Sequence, residues 1–208
     1  QSLQCDVFYE VHEFFYRSVG DDNAKRRNVV LAMEARVLEQ AKGLVFWNHN
    51  LERIAVAEFQ NLQANRLVAT SGIRELPSDC LTAKKPSRER LVYLGSLKAW
   101  KGVDRLISVF STSSFSQLSV VGGSDDEIRA LKKQCDDLKI AGRVEFLGMM
   151  SNLNAQKWLS NQNAVAVIPL IGGRYADFST PIKLFEYMYS GSVVVCPDLP
   201  TVTDYVRS

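Results

Sequence analysis

The 208-residue chain is 46% hydrophobic and 23% charged, ordinary values for a protein that buries a real core. Its formal net charge of +2 is too small to predict binding to nucleic acid, and no apolar run approaches the roughly 20 residues of a membrane span. Four cysteines, Cys5, Cys80, Cys135 and Cys196, stand far apart with no CxxC or Cys/His cluster to hold zinc. Buried or idle thiols in a reducing, cytoplasmic setting are expected.

Strand and helix alternate along the chain. "DVFYEVH" (6–12) reads as a strand. Residues 25–41 read as a helix with an apolar face at Val29, Val30, Met33, Val37 and Leu38, close to 3.6 spacing. A strand over 43–48, a helix over 50–60 capped by Asn50, and a strand over 66–72 follow. The stretch 75–89, "ELPSDCLTAKKPSRE", breaks the rhythm with two prolines, two serines and several charges, the composition of a linker.

The alternation then restarts. Strands are expected at 90–96, 117–121, 143–147, 164–169 and 192–196. Helices are expected at 101–111, 125–138, 152–161, 181–190 and from about 200. Apolar strands separated by helices imply parallel sheets covered on both faces. The expected fold is α/β, two Rossmann-like doubly wound domains, with residues 1–74 before the linker and 90–208 after it. The first, with three strands, reads as incomplete. The chain opens on Gln1 almost directly into a strand and closes on "TVTDYVRS", so sequence is expected to be missing at both ends.

In open parallel sheets ligands bind beyond the carboxyl ends of the strands, so the loops there hold the candidate functional residues. After the strand ending at Leu94, Gly95-Ser96 turns the chain and Lys101-Gly102 opens the next helix. A glycine turn leading into a helix start favours an anion such as phosphate, and Lys101 adds a full charge; a solvated first-turn lysine is the alternative, disfavoured because lysine opposes the dipole at a helix start. Gly122-Gly123 and the Ser124-capped acidic turn after them are explained by turn and cap chemistry alone. Gly148 and Met149 could edge a flat base, although methionines here more often pack. Thr180 suits an N-cap and Pro181 the first helical position. Glu186 shares the helix face of Ile182. An ionised carboxylate on so covered a helix is costly unless one side opens to a wet cleft, and a solvent-facing Glu is the alternative.

Three segments together resemble the carboxyl-terminal domain of GT-B glycosyltransferases, most closely family 4. They are "VYLGSLKAWKGVDRLISVF", "GRVEFLGMMSNLNAQKWLSNQNAVAVIPL" and "STPIKLFEYMYSGSVVVCPDLP". The front part, with "FYEVHEFF" and "TSGI", resembles the end of the partner, acceptor-side domain. The resemblance implies a hexosyl-type transfer from a nucleotide-diphosphate-sugar donor to a glycan, lipid or small-molecule acceptor hydroxyl, with retention and with neither metal nor cofactor. It implies no nucleic-acid partner, a cytoplasmic location, peripheral contact with the inner membrane surface, and inactivity of so short a chain by itself.

By resemblance, Lys101 binds the diphosphate with Gly95 and Ser96 beside it, and the backbone of Thr180, Pro181 and Ile182 cradles phosphate. Glu186 holds the ribose hydroxyls, Gly148 and Met149 flank the base, and His12 reaches the donor sugar. Two positions depart from the family. Ser96 stands where the family often has Arg, and the acidic partner of Glu186 would fall on Phe178, with Asp177 one place earlier. Either Asp177 serves as the catalytic acid through a shifted loop, or the sugar contact differs. A nucleotide-sugar epimerase of the same fold and a non-catalytic nucleotide-sugar-binding subunit are the competing readings. A dehydrogenase is disfavoured, because no GxGxxG follows any strand.

Overall fold

Each short run of β-branched and aromatic residues becomes a strand, and most are followed by a helix that starts on a capping side chain or a special backbone turn. The computed structural model describes residues 5–20, 23–73, 75, 89–171, 178 and 181–206. The front of the chain forms β1 (Phe8–Val11), α1 (Phe15–Ser18), α2 (Ala24–Gln40), β2 (Gly43–Phe46), α3 (His49–Glu58) and β3 (Asn65–Val68). The rest forms β4 (Arg90–Leu94), a 3-10 turn (Ala99–Lys101), α4 (Val103–Ser111), β5 (Gln117–Val121) and α5 (Asp125–Asp137). It continues with β6 (Val144–Gly148), α6 (Asn152–Ser160), β7 (Val165–Val167), α7 (Ile182–Tyr189), β8 (Val193–Val195) and α8 (Pro200–Thr203).

These strands make two wholly parallel, Rossmann-like sheets, the α/β class expected from the sequence. The first has the order β1-β2-β3 and the second β6-β5-β4-β7-β8. In the second sheet the chain winds outward from β4 to β6, then returns to the other side of β4 to place β7. The reversal of strand order between β4 and β7 is the kind of switch point at which open sheets bind ligands.

The chain divides into two compact units. One comprises residues 1–71, 172–180 and 198–208, the other 72–171 and 181–197. Chain order had put everything after residue 89 with the second sheet, but two late segments fold with the first. Phe178 is buried against Phe14, edge to face at 6.0 Å, and its carbonyl accepts a hydrogen bond from the buried Asn48 Nδ2 at 2.9 Å. Arg53 of α3 grips Asp204, just past α8, through both guanidinium nitrogens at 3.3 and 2.9 Å. The expected linker falls almost wholly outside the described residues, which include only Glu75 and Glu89 of it.

The core of the second unit follows the helical period. Val103, Leu106, Ile107 and Phe110 of α4 all turn inward onto Leu91, Tyr93, Leu118 and Val120. Two local expectations are corrected in the first unit. On α2 only Leu38 of the expected face is fully buried. Val29, Met33 and Val37, one turn apart, remain 54%, 64% and 42% exposed, so the apolar stripe is wider than the surface that covers it. The cap of α3 is Asn48, not Asn50: Asn48 Oδ1 accepts the Leu51 N–H at 2.8 Å, and the helix starts two residues earlier than the apolar pattern implies. No helix among the described residues is long and apolar enough to cross a membrane.

Candidate functional site

A cavity of about 350 Å³ lies at the carboxyl ends of β4, β5 and β6. That is within the usual range for small-ligand pockets. Its wall includes Gly95 and Ser96 after β4, Gly122 to Ser124 after β5, Met149 and Met150 after β6, Asn152 at the start of α6, and Lys183 of α7.

The glycines of this rim are set by backbone crowding. A Cβ on Gly122 would stand 2.0 Å from the Gly95 carbonyl oxygen, and the Gly122 N–H donates to Gly148 O at 2.7 Å. The loops after β4, β5 and β6 are therefore laced together, which accounts for the Gly-Gly pair. Ser96 is exposed at the rim, and its carbonyl accepts the Tyr93 hydroxyl at 2.7 Å. Ser124 and Glu127 form a reciprocal capping box at the start of α5. The Ser124 N–H, then Lys98, whose Nζ lies 3.1 Å from Oε1, hold the Glu127 carboxyl below its ordinary value, so the acid on this wall is already engaged. Met149 is 81% exposed.

Lys101 differs from its expected placement. It closes the 3-10 turn instead of opening α4, and it stands outside the cavity lining. The helix begins from Gly102, held at φ 73° and ψ 21°. Lys101 Nζ lies 3.8 Å over the Trp100 ring. Burial, and then the charge of Lys183, push its pKa down, so two ammonium groups share one region.

Pro181 and Ile182 also shift by one place. Pro181, buried and extended, occupies the N-cap position, and Ile182 is the first helical residue, 44% exposed. Thr180 and Asp177 lie outside the described residues. Ile182 and Glu186 share a helix face but not an environment: Glu186 turns inward, as do Leu184 and Tyr187 on other faces of α7, whereas Ile182 and Met188 are 44% and 48% exposed.

Glu186 is 3% exposed, which excludes a solvent-facing charge. It does not line the cavity; Asn152 and Lys183 do, and both reach it. Its Oε1 accepts from Asn152 Nδ2 at 2.9 Å and from Gln156 Nε2 at 3.2 Å. Oε2 accepts no hydrogen bond and is paired with Lys183 Nζ at 2.6 Å. The carboxylate thus has protein partners, where the sequence reading expected the cleft alone to satisfy it. One residue further, the buried Tyr187 hydroxyl accepts the Leu94 N–H at 2.8 Å and ties α7 to the end of β4. Sequence reasoning gave no role to Lys183, Asn152 or Gln156. The spacing of Asn152 and Gln156, one turn apart on α6, marks one helix face, but nothing local says that it meets Glu186.

In the first unit, His12 follows β1 and is half exposed. Its Nε2 lies 3.4 Å from Glu10 Oε1, and its ring packs 3.8 Å from that of Trp47, which donates to the same Glu10 oxygen at 2.5 Å. Trp47 and then His12 hold the Glu10 carboxyl below its ordinary value. Phe178, where the family's second acid would fall, is a core residue of this unit.

The profile of the family described as "Glycosyl transferases group 1" matches residues 88–208. None of the curated proteins matches the chain. Among solved structures, sucrose-phosphate synthase from Thermosynechococcus elongatus is 20% identical with a TM-score of 0.67, over 92% of this chain and 50% of that one. HepE of Anabaena in complex with UDP is 17% identical with a TM-score of 0.70, over 98% and 56%. A TarM variant of S. aureus in complex with fondaparinux, alpha-GlcNAc-glycerol and UDP is 15% identical with a TM-score of 0.68, over 98% and 39%. These likenesses show the fold. The chain spans about half the length of the first two of these structures, 50% and 56%, and less of the third.

Proposed function

The chain belongs to the group 1 glycosyl transferases, and from that premise we propose that its second unit binds the nucleoside diphosphate of a sugar donor. The observation that carries this reading is the cavity at the ends of β4, β5 and β6, with Lys183 on its wall and the buried Glu186 behind. Met149 and Met150 edge the base. Glu186 recognises the ribose. Lys101 and Lys183 neutralise the diphosphate, the rim at Gly95 and Ser96 approaches it with backbone and hydroxyl groups, and the α7 start at Pro181 and Ile182 offers it the Ile182 N–H. Gly148 acts by holding the rim in register.

In the transfer, the bond from the sugar's anomeric carbon to the diphosphate oxygen breaks and a bond to the acceptor oxygen forms. The acceptor proton leaves with the departing phosphate. Two ammonium groups beside the diphosphate supply the charge that a divalent cation gives elsewhere, which supports a metal-independent reaction. Retention, a hexosyl donor, the roles of His12 and Asp177 toward the donor sugar, and work at the cytoplasmic side of a membrane are carried over from the resemblance. The burial of Phe178 in an apolar cluster favours one second reading, a nucleotide-sugar-binding unit without turnover.

Calorimetric titration of the chain with UDP and GDP tests the proposal, since UDP is the ligand of the Anabaena HepE structure. Saturable one-to-one binding of either nucleotide is expected. Binding of neither overturns it. Release of UDP or GDP from a nucleotide sugar in the presence of acceptor separates the enzyme from the binding unit.

A further inference from the structure

Among the described residues, Asn152 and Lys183 line the cavity and also contact Glu186. Asn152 occupies Oε1 together with Gln156, and the Lys183 ammonium sits on Oε2 without an aligned hydrogen bond. The two oxygens are unlike. Oε1 is fixed by two amides from one face of α6. Oε2 is held by one flexible side chain, a third exposed and already on the cavity wall.

Resting on the reading of this cavity as a nucleoside-diphosphate site, we infer that Lys183 is a coupling residue. It neutralises Glu186 Oε2 in the empty site and moves to the diphosphate when one arrives, freeing Oε2 for the ribose hydroxyls. Asn152 and Gln156 keep the carboxylate in place during the exchange, so they are positioning residues.

The physical case is one of competition for a single cation. A buried carboxylate without a partner is costly, so in the empty site the ammonium belongs on Oε2. A diphosphate carries more negative charge and can draw the ammonium away. The ribose then replaces the lost partner with two hydroxyl donors. A nucleoside alone must displace Lys183 without giving it a new anion. A nucleoside diphosphate does both at once, so ribose and diphosphate recognition are coupled through one side chain, and such coupling is reciprocal. The position of Lys183 within electrostatic reach of Lys101 fits this, because an anion between the two relieves their repulsion. A static i,i+3 pair on a helix surface would contribute little and predict no coupling.

The test uses the unmodified chain first. Uridine is titrated with and without saturating inorganic pyrophosphate, and weak binding is read from the methyl shifts of Met149 and Met150. Pyrophosphate should tighten uridine roughly two- to tenfold, the range of one hydrogen bond. Lys183→Met should weaken UDP by roughly tenfold or more while tightening uridine by the same two- to tenfold. In a Glu186→Gln background the effect of Lys183→Met on uridine should vanish. Uridine binding that is unchanged or weakened both by pyrophosphate and by Lys183→Met, while UDP still binds the parent, overturns the coupling and leaves the nucleotide site standing. Failure of both UDP and GDP to bind the parent overturns both.

Discussion

The carbonyl oxygen of Pro169 occupies the space that a side chain on Gly102 would need: an ideal Cβ there would stand 2.1 Å from it. The loop after β7 therefore lies directly on the turn that separates Lys101 from α4. Gly102 is also left-handed, at φ 73°. Gly102→Ala should cost on the order of 1–3 kcal/mol from backbone strain alone, with the clash added to it. It should also displace Lys101 and weaken UDP binding. Thermal unfolding followed by circular dichroism checks the first effect and calorimetry the second. A variant that melts with the parent would show that the Pro169 loop yields freely.

Lys101→Ala tests the other half of the anion site. Burial and Lys183 depress the Lys101 pKa, and Trp100 shields one side of its ammonium. A diphosphate would reverse the repulsion by Lys183. Loss of one charged hydrogen bond, about 1.5–3 kcal/mol, predicts roughly tenfold weaker UDP binding or more. Lys101→Met, which keeps most of the packing on Trp100, should lose the same affinity. Equal binding by parent and both variants would return Lys101 to a surface role.

Much of this was legible in the sequence, and the failures share a cause. Strand positions follow from apolar runs, which need no tertiary information; the runs over 90–96 and 192–196 were simply trimmed to β4 and β8. The rim loops were found because ligands gather at strand ends. Misplaced were the features set by contacts distant in sequence. Gly102 is left-handed and is pressed by the Pro169 carbonyl, so Lys101 ends a turn instead of starting a helix. Phe178 joins the first unit through Phe14 and Asn48, more than a hundred residues away in sequence. Glu186 was recognisable by motif, whereas its partners on α6 become neighbours only when β6 and β7 take their places in the sheet.

Tyr187→Phe isolates one of those distant contacts. The ring is fully buried, and burial holds the phenol well above its ordinary pKa, so it stays neutral. Phenylalanine fills the same space but leaves the Leu94 N–H, at the end of β4, without its acceptor. An orphaned buried donor costs about 1–3 kcal/mol. Urea denaturation should show that loss. An unchanged midpoint would mean that water replaces the hydroxyl.

Glu34 should make the first unit pH-dependent. Its oxygens accept the Phe15 and Tyr16 N–H groups at 2.6 and 2.9 Å, which favours the charged form. Burial, aided by the charge of Glu13, outweighs this and pushes the carboxyl up to about 7. A carboxyl raised on folding keeps its proton while the unfolded chain releases it. Its contribution is thus complete below the ordinary value of 4.5 and is lost as pH rises toward about 7. Glu34→Gln should flatten that slope between these limits while changing little above them. Melting temperatures across the window check this, and parallel curves for parent and variant would show that Glu34 is ionised throughout.

Glu186 ties stability to binding, and two substitutions separate them. Glu186→Leu would strand the buried Gln156 Nε2, leave the exposed Asn152 Nδ2 to turn to water, and leave Lys183 without its carboxylate. At about 1–3 kcal/mol for the one buried amide left without an acceptor, the second unit should be measurably destabilised even if Lys183 and Asn152 turn to solvent. Glu186→Gln keeps a carbonyl oxygen for both amides but turns an NH2 group toward the Lys183 ammonium. It should fold with a smaller loss, while UDP binding falls roughly tenfold through the weaker acceptor offered to the ribose. Urea denaturation of both variants, with UDP titration of the Gln variant, gives the two readings. If Glu186→Leu is as stable as the parent, the α6 amides contribute nothing to the fold. If Glu186→Gln binds UDP like the parent, the carboxylate is structural and the ribose is read elsewhere on the cavity wall, with Asn152 as the nearest polar group to examine.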